Sequence, residues 1–268
     1  MAKSPVEVSF VIPTLAKTGY YRRCVHTLLG ACLLPGKRTY EIIIVDDGSP
    51  REYQEELLKD CRAMGCRAHL RRITGGFTRA VNEGLYLTRG KYLFLVNDDV
   101  EFFQPQWLEL MVRVSEESPR AGITGCRLLY PNGLIQHGGM DYCGVGSYLL
   151  SHRYVNQDRE FLPAKANNRV IAVTGAVMMI KRGLVEDMGY MDEGFRITCS
   201  DTDYCLRAQQ RGWGVYYCGE AEAIHHEGKT RGNTPENKDP AWYKLEIRDN
   251  ERFYQRWQEA IHPLLHRL

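Results

Sequence analysis

Three acidic clusters in this chain have the residue types for ion and proton chemistry: Asp46-Asp47, Asn97-Asp98-Asp99 and Ser200-Asp201-Thr202-Asp203. A fourth cluster, His225-His226-Glu227-Gly228, adds imidazoles. The most informative of them ends the apolar run Tyr92-Leu93-Phe94-Leu95-Val96, which reads as a buried strand releasing an amide and two carboxylates at its C-terminal end. Carboxylates crowded this closely repel one another unless solvent or a cation screens them. Such a strand end makes a seat for a hard divalent cation, which would in turn neutralise a phosphorylated ligand. The plain alternative is a solvated turn.

The elements that must position these groups follow from periodicity. Val8 to Ile12 predicts a strand that stops at Pro13-Thr14, and apolar residues at helical spacing predict a helix over 21–34. The design repeats with a strand over 41–45, the turn Asp46-Asp47-Gly48-Ser49-Pro50 and a helix over about 52–64. A third unit has a strand over 67–73, a turn at Gly75-Gly76 and a helix over about 77–88, and the strand before Asn97 is the fourth. Strands alternating with helices predict an α/β fold with a mixed, mainly parallel central sheet flanked by helices, whose ligands bind at the carboxyl ends of the strands. Pro13-Thr14, Asp46-Asp47 and Asn97–Asp99 then gather on one edge. Past about residue 120 the pattern loosens, with strand-like runs at 170–173 and 177–180 around Thr174-Gly175-Ala176, a helix over 203–210 ending near Gly212, and a strand-like run over 213–218. One domain over 1–268 is expected: a first half of about 6–120, a second of about 121–232, and a helical tail over 233–268 in which Phe253 and Trp257 share a face.

Composition narrows the class. At 268 residues, 44% hydrophobic and 25% charged, the chain is an ordinary globular one. A net charge of only +2 offers no global field for nucleic acid, so none is expected as a partner. Nine cysteines, an odd number without CxxC spacing, read as reduced thiols of a cytoplasmic protein. The start Met-Ala-Lys-Ser-Pro leads into a short strand rather than a signal peptide, and no run approaches the roughly 20 apolar residues that span a bilayer. Peripheral contact with the inner leaflet of a membrane and a homodimer both stay open.

VSFVIPT (8–14), IIIVDDGS (42–49), Gly75-Gly76-Phe77 to Asn82-Glu83-Gly84, LFLVNDDV (93–100), VTGAVMMIKR (173–182), SDTDYCLRAQQRG (200–212) and HHEG (225–228) occur in that order. Together, over roughly 6–230, they resemble family 2 glycosyltransferases of the GT-A fold, and 133–153 resembles the bacterial O-antigen and rhamnosyltransferase-like branch. The resemblance implies an inverting, metal-dependent transfer of a hexosyl or deoxyhexosyl group from a UDP-, dTDP- or GDP-sugar to a hydroxyl of a saccharide or lipid-linked saccharide. It implies nucleotide-sugar contacts at Pro13, Thr14, Asp46, Asp47, Gly76, Arg79, Asn82, Asn97 and Asp98, with Asp46 foremost on the base. The alternative for Asp46-Asp47 is a turn that caps the next helix. The metal, Mg²⁺ or Mn²⁺, would fall to Asp99 and His225, with Asn97 standing where an acid is usual and turned to the ribose. Asp201 would be the general base and Asp203 structural, with Ser200 where a Glu is usual. Thr174, Gly175, Ala176 and Ser200 would face the sugars, and Lys229 and Arg231 would clamp the diphosphate. His137 and His152 lie where the branch contacts acceptors, though hydrogen-bonded core positions suit them as well. Of Trp107, Trp213, Trp242 and Trp257, three are expected to pack and one to stack on a sugar.

Two rivals remain on the residues alone. A sugar-phosphate nucleotidyltransferase would need a Gly-rich basic loop after the first strand, of which 13–19 is a poor version. A degenerate, non-catalytic sugar-binding module is suggested by Asn97 and Ser200.

Overall fold

Every residue of β1 (Val8–Thr14) is buried, as a strand must be when helices cover both faces of a parallel sheet. The chain continues through α1 (Tyr21–Thr27), β2 (Tyr40–Asp46), α2 (Arg51–Met64), β3 (Arg67–Leu70), α3 (Phe77–Tyr86) and β4 (Tyr92–Val96). β1 pairs in parallel with β2 and β4, and β2 with β3. This computed structural model describes residues 5–32, 38–145, 148–228 and 239–266.

Alternate side chains of these strands feed two cores, because successive Cβ atoms point to opposite faces. Val11, Ile43, Val45, Leu93 and Leu95 join the core under α3 and α6 (Ser200–Gln210, numbered in sequence below). Phe10, Ile12, Ile42, Ile44, Phe94 and Val96 join the other, in which Trp107 stacks on Phe102 with centroids 4.3 Å apart.

The second half supplies β5 (Val100–Glu101), α4 (Trp107–Glu116), β6 (Ala121–Leu129), β7 (Ile135–His137), the hairpin β8 (Met140–Val145) and β9 (Tyr148–His152), and β10 (Asn168–Arg169). It closes with β11 (Val177–Lys181), α5 (Arg182–Met188), α6, β12 (Gly214–His225), α7 (Pro240–Trp257) and α8 (His262–Leu265). The main sheet runs β10-β12-β6-β11-β4-β1-β2-β3. β11 is antiparallel to both β4 and β6, whereas β12 is parallel to β6, so the sheet is mixed. No helix among the described residues is long and apolar enough to cross a membrane.

Four expected elements differ. The helix expected over 21–34 is regular only to Thr27 and continues as a π-helical turn, Leu28–Cys32, which contains the poor helix former Gly30. β3 stops at Leu70, where Arg71 turns to meet Asp47 and Glu83. The run 170–173 is buried but forms no strand, meeting its neighbours through an isolated Met140–Ala172 bridge and through the Val170 amide, which donates to the Val215 carbonyl at 3.0 Å, and burial alone cannot tell a strand from other apolar backbone. The run expected over 213–218 continues to His225 as one strand, β12, with an irregularity between Cys218 and Glu222.

The tail helix is fastened by buried carboxylates. Asp249 of α7, fully buried, accepts from the consecutive amides of Arg196, Ile197 and Thr198, at 2.7 Å for Ile197. Asp203 of α6 accepts from Arg207, from Arg256 at 2.7 Å and from the Trp257 indole at 3.0 Å, which is a structural role. Asp192 accepts from Arg252 at 3.1 Å and Arg256 at 2.6 Å. Burial pushes the Asp192 carboxyl up, but the Gly194 amide and these two guanidiniums outweigh it and hold the value down to about 2. A depressed value means stability present above the unfolded value of about 3.9 and lost as pH falls through the folded one. Asp192→Asn should therefore lower stability at pH 7 by about 1–2 kcal/mol, with the deficit vanishing near pH 2; urea melts at both pH values check this, and equal deficits would contradict it.

Candidate active site

The carboxyl ends of β1, β2 and β4 open onto a cavity of about 650 Å³ whose far side is built from 174–176, 197–202, 225–228, β9 and Trp242. A carboxylate cluster governs its floor. Thr14 donates its hydroxyl to Asp98, yet burial, with Asp99 alongside, pushes the Asp98 carboxyl up to about 7. Asp99 faces His225 with Oδ1 to Nε2 at 3.2 Å. Burial would raise Asp99 too, but the His225 hydrogen bond and charge more than reverse it, and its value lies below the usual carboxylate range.

The register of β5 makes this meeting possible, because Val100 pairs antiparallel with His225 and Glu101 with Ile224. Adjacent strand residues face opposite ways. His225 accordingly faces the cavity cluster while His226 Nε2 meets Glu101 at 2.5 Å. The tautomer of His225 follows from its neighbours. Gln136 directs its amide nitrogen to the Glu227 carboxylate at 3.1 Å, which leaves its Oε1 to accept from His225 Nδ1–H at 2.8 Å. Nε2 then carries a lone pair against Asp99 unless a proton or a cation lies between them. Asn97 adds to the demand: its Nδ2 lies 3.4 Å from His225 Nε2, and its buried Oδ1 has no hydrogen-bond partner among the described residues. An imidazole nitrogen oriented from behind, a carboxylate and an unpaired amide oxygen form a donor set that suits Mg²⁺ or Mn²⁺. Among the described residues no three His, Cys, Asp or Glu side chains form a group that could hold a metal ion by themselves.

Asp201 stands in the first turn of α6, following Cys199 in the left-handed region at φ 62°. Its Oδ2 accepts from the Gly175 amide at 2.7 Å and its Oδ1 from the Thr202 amide at 2.8 Å. A Cβ on Gly175 would sit 3.2 Å from Asp201 Cβ and from Leu95, so glycine allows this close approach. Each carboxylate oxygen keeps a further lone pair for a ligand. Behind this wall, the Thr174 amide reaches His137 Nε2 at 3.4 Å and His137 Nδ1 lies 3.0 Å from His152 Nδ1. Burial, then His152, holds His137 well below the ordinary imidazole value; burial also lowers His152 despite the nearby Asp201 and Glu227 carboxylates.

The family model described as "Glycosyl transferase family 2" matches residues 9–187, more than half of the chain. The chain belongs to glycosyl transferase family 2. An uncharacterized protein, y4gI, of Sinorhizobium fredii is 31% identical over 260 residues, covering 94% of this chain and 27% of that protein. The O-antigen biosynthesis protein RfbC of Myxococcus xanthus is 26% identical over 234 residues, 84% of this chain and 18% of RfbC. The chain thus spans 27% and 18% of the length of these two relatives. The mannosyltransferase PcManGT from Pyrobaculum calidifontis, solved with GDP-Man and Mn²⁺, superposes with a TM-score of 0.65 at 14% identity, covering 98% of this chain and 70% of that one. The fold is the GT-A fold.

Of the positions expected from the family 2 motifs, Pro13, Thr14, Asp47, Asn97, Asp98, Asp99, Thr174, Gly175, Ala176, Ser200, Asp201 and His225 line the cavity. The pair Asp46-Asp47 changes order. Asp46 is fully buried and its oxygens are taken by the Ala16 and Ser49 amides and by Gln54 at 2.8–3.0 Å, so it ties the β1 and β2 loops together. Asp47 is the one on the wall. It accepts from the amides of Gly75 and Gly76, both at 2.9 Å, and from Arg71, while burial still pushes its carboxyl above the usual value.

Gly76 itself lies behind Asp47, at φ 94°, where a Cβ would come within 2.5 Å of the Arg196 carbonyl. Arg79 is half-exposed off the cavity and pairs with Glu193 at 3.0 Å, and Asn82 is buried where it clamps the Met191 backbone at 2.9 and 3.0 Å. Helix α3 turns both side chains toward the 191–193 segment rather than the cavity, which helical spacing alone did not show. Lys229 and Arg231 lie outside the described residues. Gln136 and Glu227 were not singled out by sequence, although Glu227 stands inside the HHEG run that carried the signal.

Asp46→Ala should destabilise the protein by about 2–4 kcal/mol by leaving buried amides unpaired, whereas Arg79→Ala should stay within about 0.5 kcal/mol, as exposed ion pairs do. Thermal melts of both variants check the contrast.

Proposed function

We propose that the chain transfers a hexosyl or deoxyhexosyl group from a nucleotide sugar to a hydroxyl of a saccharide or lipid-linked saccharide, in one displacement that inverts the anomeric centre. The observation that carries this reading is the placement of Asp201, pinned by two amides, on the wall of the same cavity that Asp47 and Asn97–Asp99 line. The acceptor oxygen gives its proton to Asp201 and bonds to the anomeric carbon. The bond from that carbon to the diphosphate oxygen breaks, and its electron pair leaves with the nucleoside diphosphate. No covalent enzyme intermediate is needed, because the amides that hold Asp201 leave it free to accept a proton and fix where it does so.

Asp47, with Pro13 and Thr14, takes the nucleoside end, where a carboxylate accepts from base N–H groups. Asn97 and Asp98 serve the ribose side, and Thr174–Ala176 and Ser200 the sugars. Asp99 and His225, with Asn97 Oδ1 beside them, hold a divalent cation. When bound, that ion supplies positive charge for the departing diphosphate. Support comes from PcManGT, solved with GDP-Man and Mn²⁺, for donor and ion, and from the O-antigen role in the name of RfbC for a saccharide acceptor.

The test is a panel of UDP-, dTDP- and GDP-sugars with Mn²⁺, scored for release of nucleoside diphosphate. One donor should be consumed, and Asp201→Asn should cut its turnover by about 10³-fold or more while nucleotide affinity stays within about twofold. Wild-type turnover in that variant would remove Asp201 from the base role.

A further inference from the structure

Four tryptophans are present and three of them are committed to the fold. Trp107 stacks on Phe102, Trp213 donates to Asp187 at 2.7 Å under Arg120, and the fully buried Trp257 donates to Asp203. Trp242 is different. It is partly exposed in the first turn of α7, it lines the cavity, and among the described residues its indole has neither a ring partner nor a hydrogen bond. An aromatic face of this size left against an open cavity asks for an apolar surface to cover it.

The helix that presents Trp242 lies beyond the family-matched residues, yet it is locked to the catalytic wall. Asp249, two turns further along, holds the amides of residues 196–198, the segment that leads through Cys199 into Asp201. Arg256 and Trp257 bind Asp203, which shares the first turn of α6 with Asp201. Helix α7 also packs against β9, whose Ser151 and His152 line the cavity. Trp242 therefore belongs to a helix that is fixed relative to the proposed base and packs on β9, and it lines the same cavity as Asp47 and Asp98.

Resting on the transferase reading above, we infer that Trp242 is the stacking platform for the acceptor sugar, a pyranose whose C–H face lies on the indole while its hydroxyl is offered to Asp201. The chemistry favours this occupant because a pyranose has an apolar face and a polar rim, and the cavity that Trp242 lines also carries the polar groups of Ser151, His152 and Glu227. Loops that hold sugars through hydrogen bonds alone would not need the ring. Residue 242 then sets acceptor affinity without touching the donor.

The probes are methyl pyranosides of glucose, galactose, mannose, rhamnose and N-acetylglucosamine, titrated against tryptophan emission and by saturation-transfer NMR in the presence of Mn²⁺ and the nucleoside diphosphate. At least one should bind saturably to the wild type and shift its emission. Trp242→Ala should weaken that sugar by about tenfold or more, Trp242→Phe should restore most of the affinity, and both should keep the wild-type melting temperature and nucleotide affinity. Unchanged sugar binding in Trp242→Ala overturns the assignment, as does a wild type that binds nucleotide but none of the sugars. Loss of nucleotide binding in the wild type would instead count against the donor site, and the sugar titration would still judge Trp242.

Discussion

A two-residue ladder decides where the charges of this protein meet. Val100 opposite His225 and Glu101 opposite Ile224 bring the end of β4 against the end of β12, from two distant parts of the chain. Asp99 would otherwise be a buried carboxylate with no counter-charge, which is among the costlier arrangements a fold can hold. The same ladder sends His226 to Glu101, so neighbouring histidines serve two different acids. Gln136 and Glu227 orient His225 from behind, and Nε2 is thereby fixed toward Asp99.

Around that meeting point, loops are held by carboxylates accepting backbone amides. Asp47 gathers Gly75 and Gly76, Asp201 gathers Gly175, and Asp249 gathers residues 196–198. Each latch joins segments remote in sequence and satisfies amides that the cavity would otherwise leave unpaired. Preorganisation follows from this, because a carboxylate tied to the backbone has one position rather than several. Asp47 and Asp201 differ from Asp249 in keeping lone pairs open to the cavity.

Much of this was legible in the sequence. The apolar runs of β1, β2 and β4 read as strands, since a doubly covered strand must be apolar on each face, and the acidic strand ends marked the cavity edge. Asp203 showed its structural role through Arg207 four residues later. Other features were out of reach. Asp46 and Asp47 are chemically identical neighbours, and only the way the strand ends decides which one turns inward. Arg79 and Asn82 looked suited to contacts with the nucleotide, but the rotation of α3 depends on packing that no spacing reveals. The irregular path of 170–173 and the reach of α7 back to the cavity depend on contacts far apart in the chain.

The proposed cation site is the pair Asp99 and His225, which would together hold a divalent ion that secures the nucleoside diphosphate. Calorimetric titration of UDP, dTDP and GDP into the folded protein, with Mn²⁺ and with EDTA, tests it most directly in the wild type, Asp99→Ala and His225→Ala. The account predicts that one nucleotide binds only with Mn²⁺ and that either substitution weakens it by about tenfold or more. Equal affinity in all three proteins, with or without the ion, would contradict it.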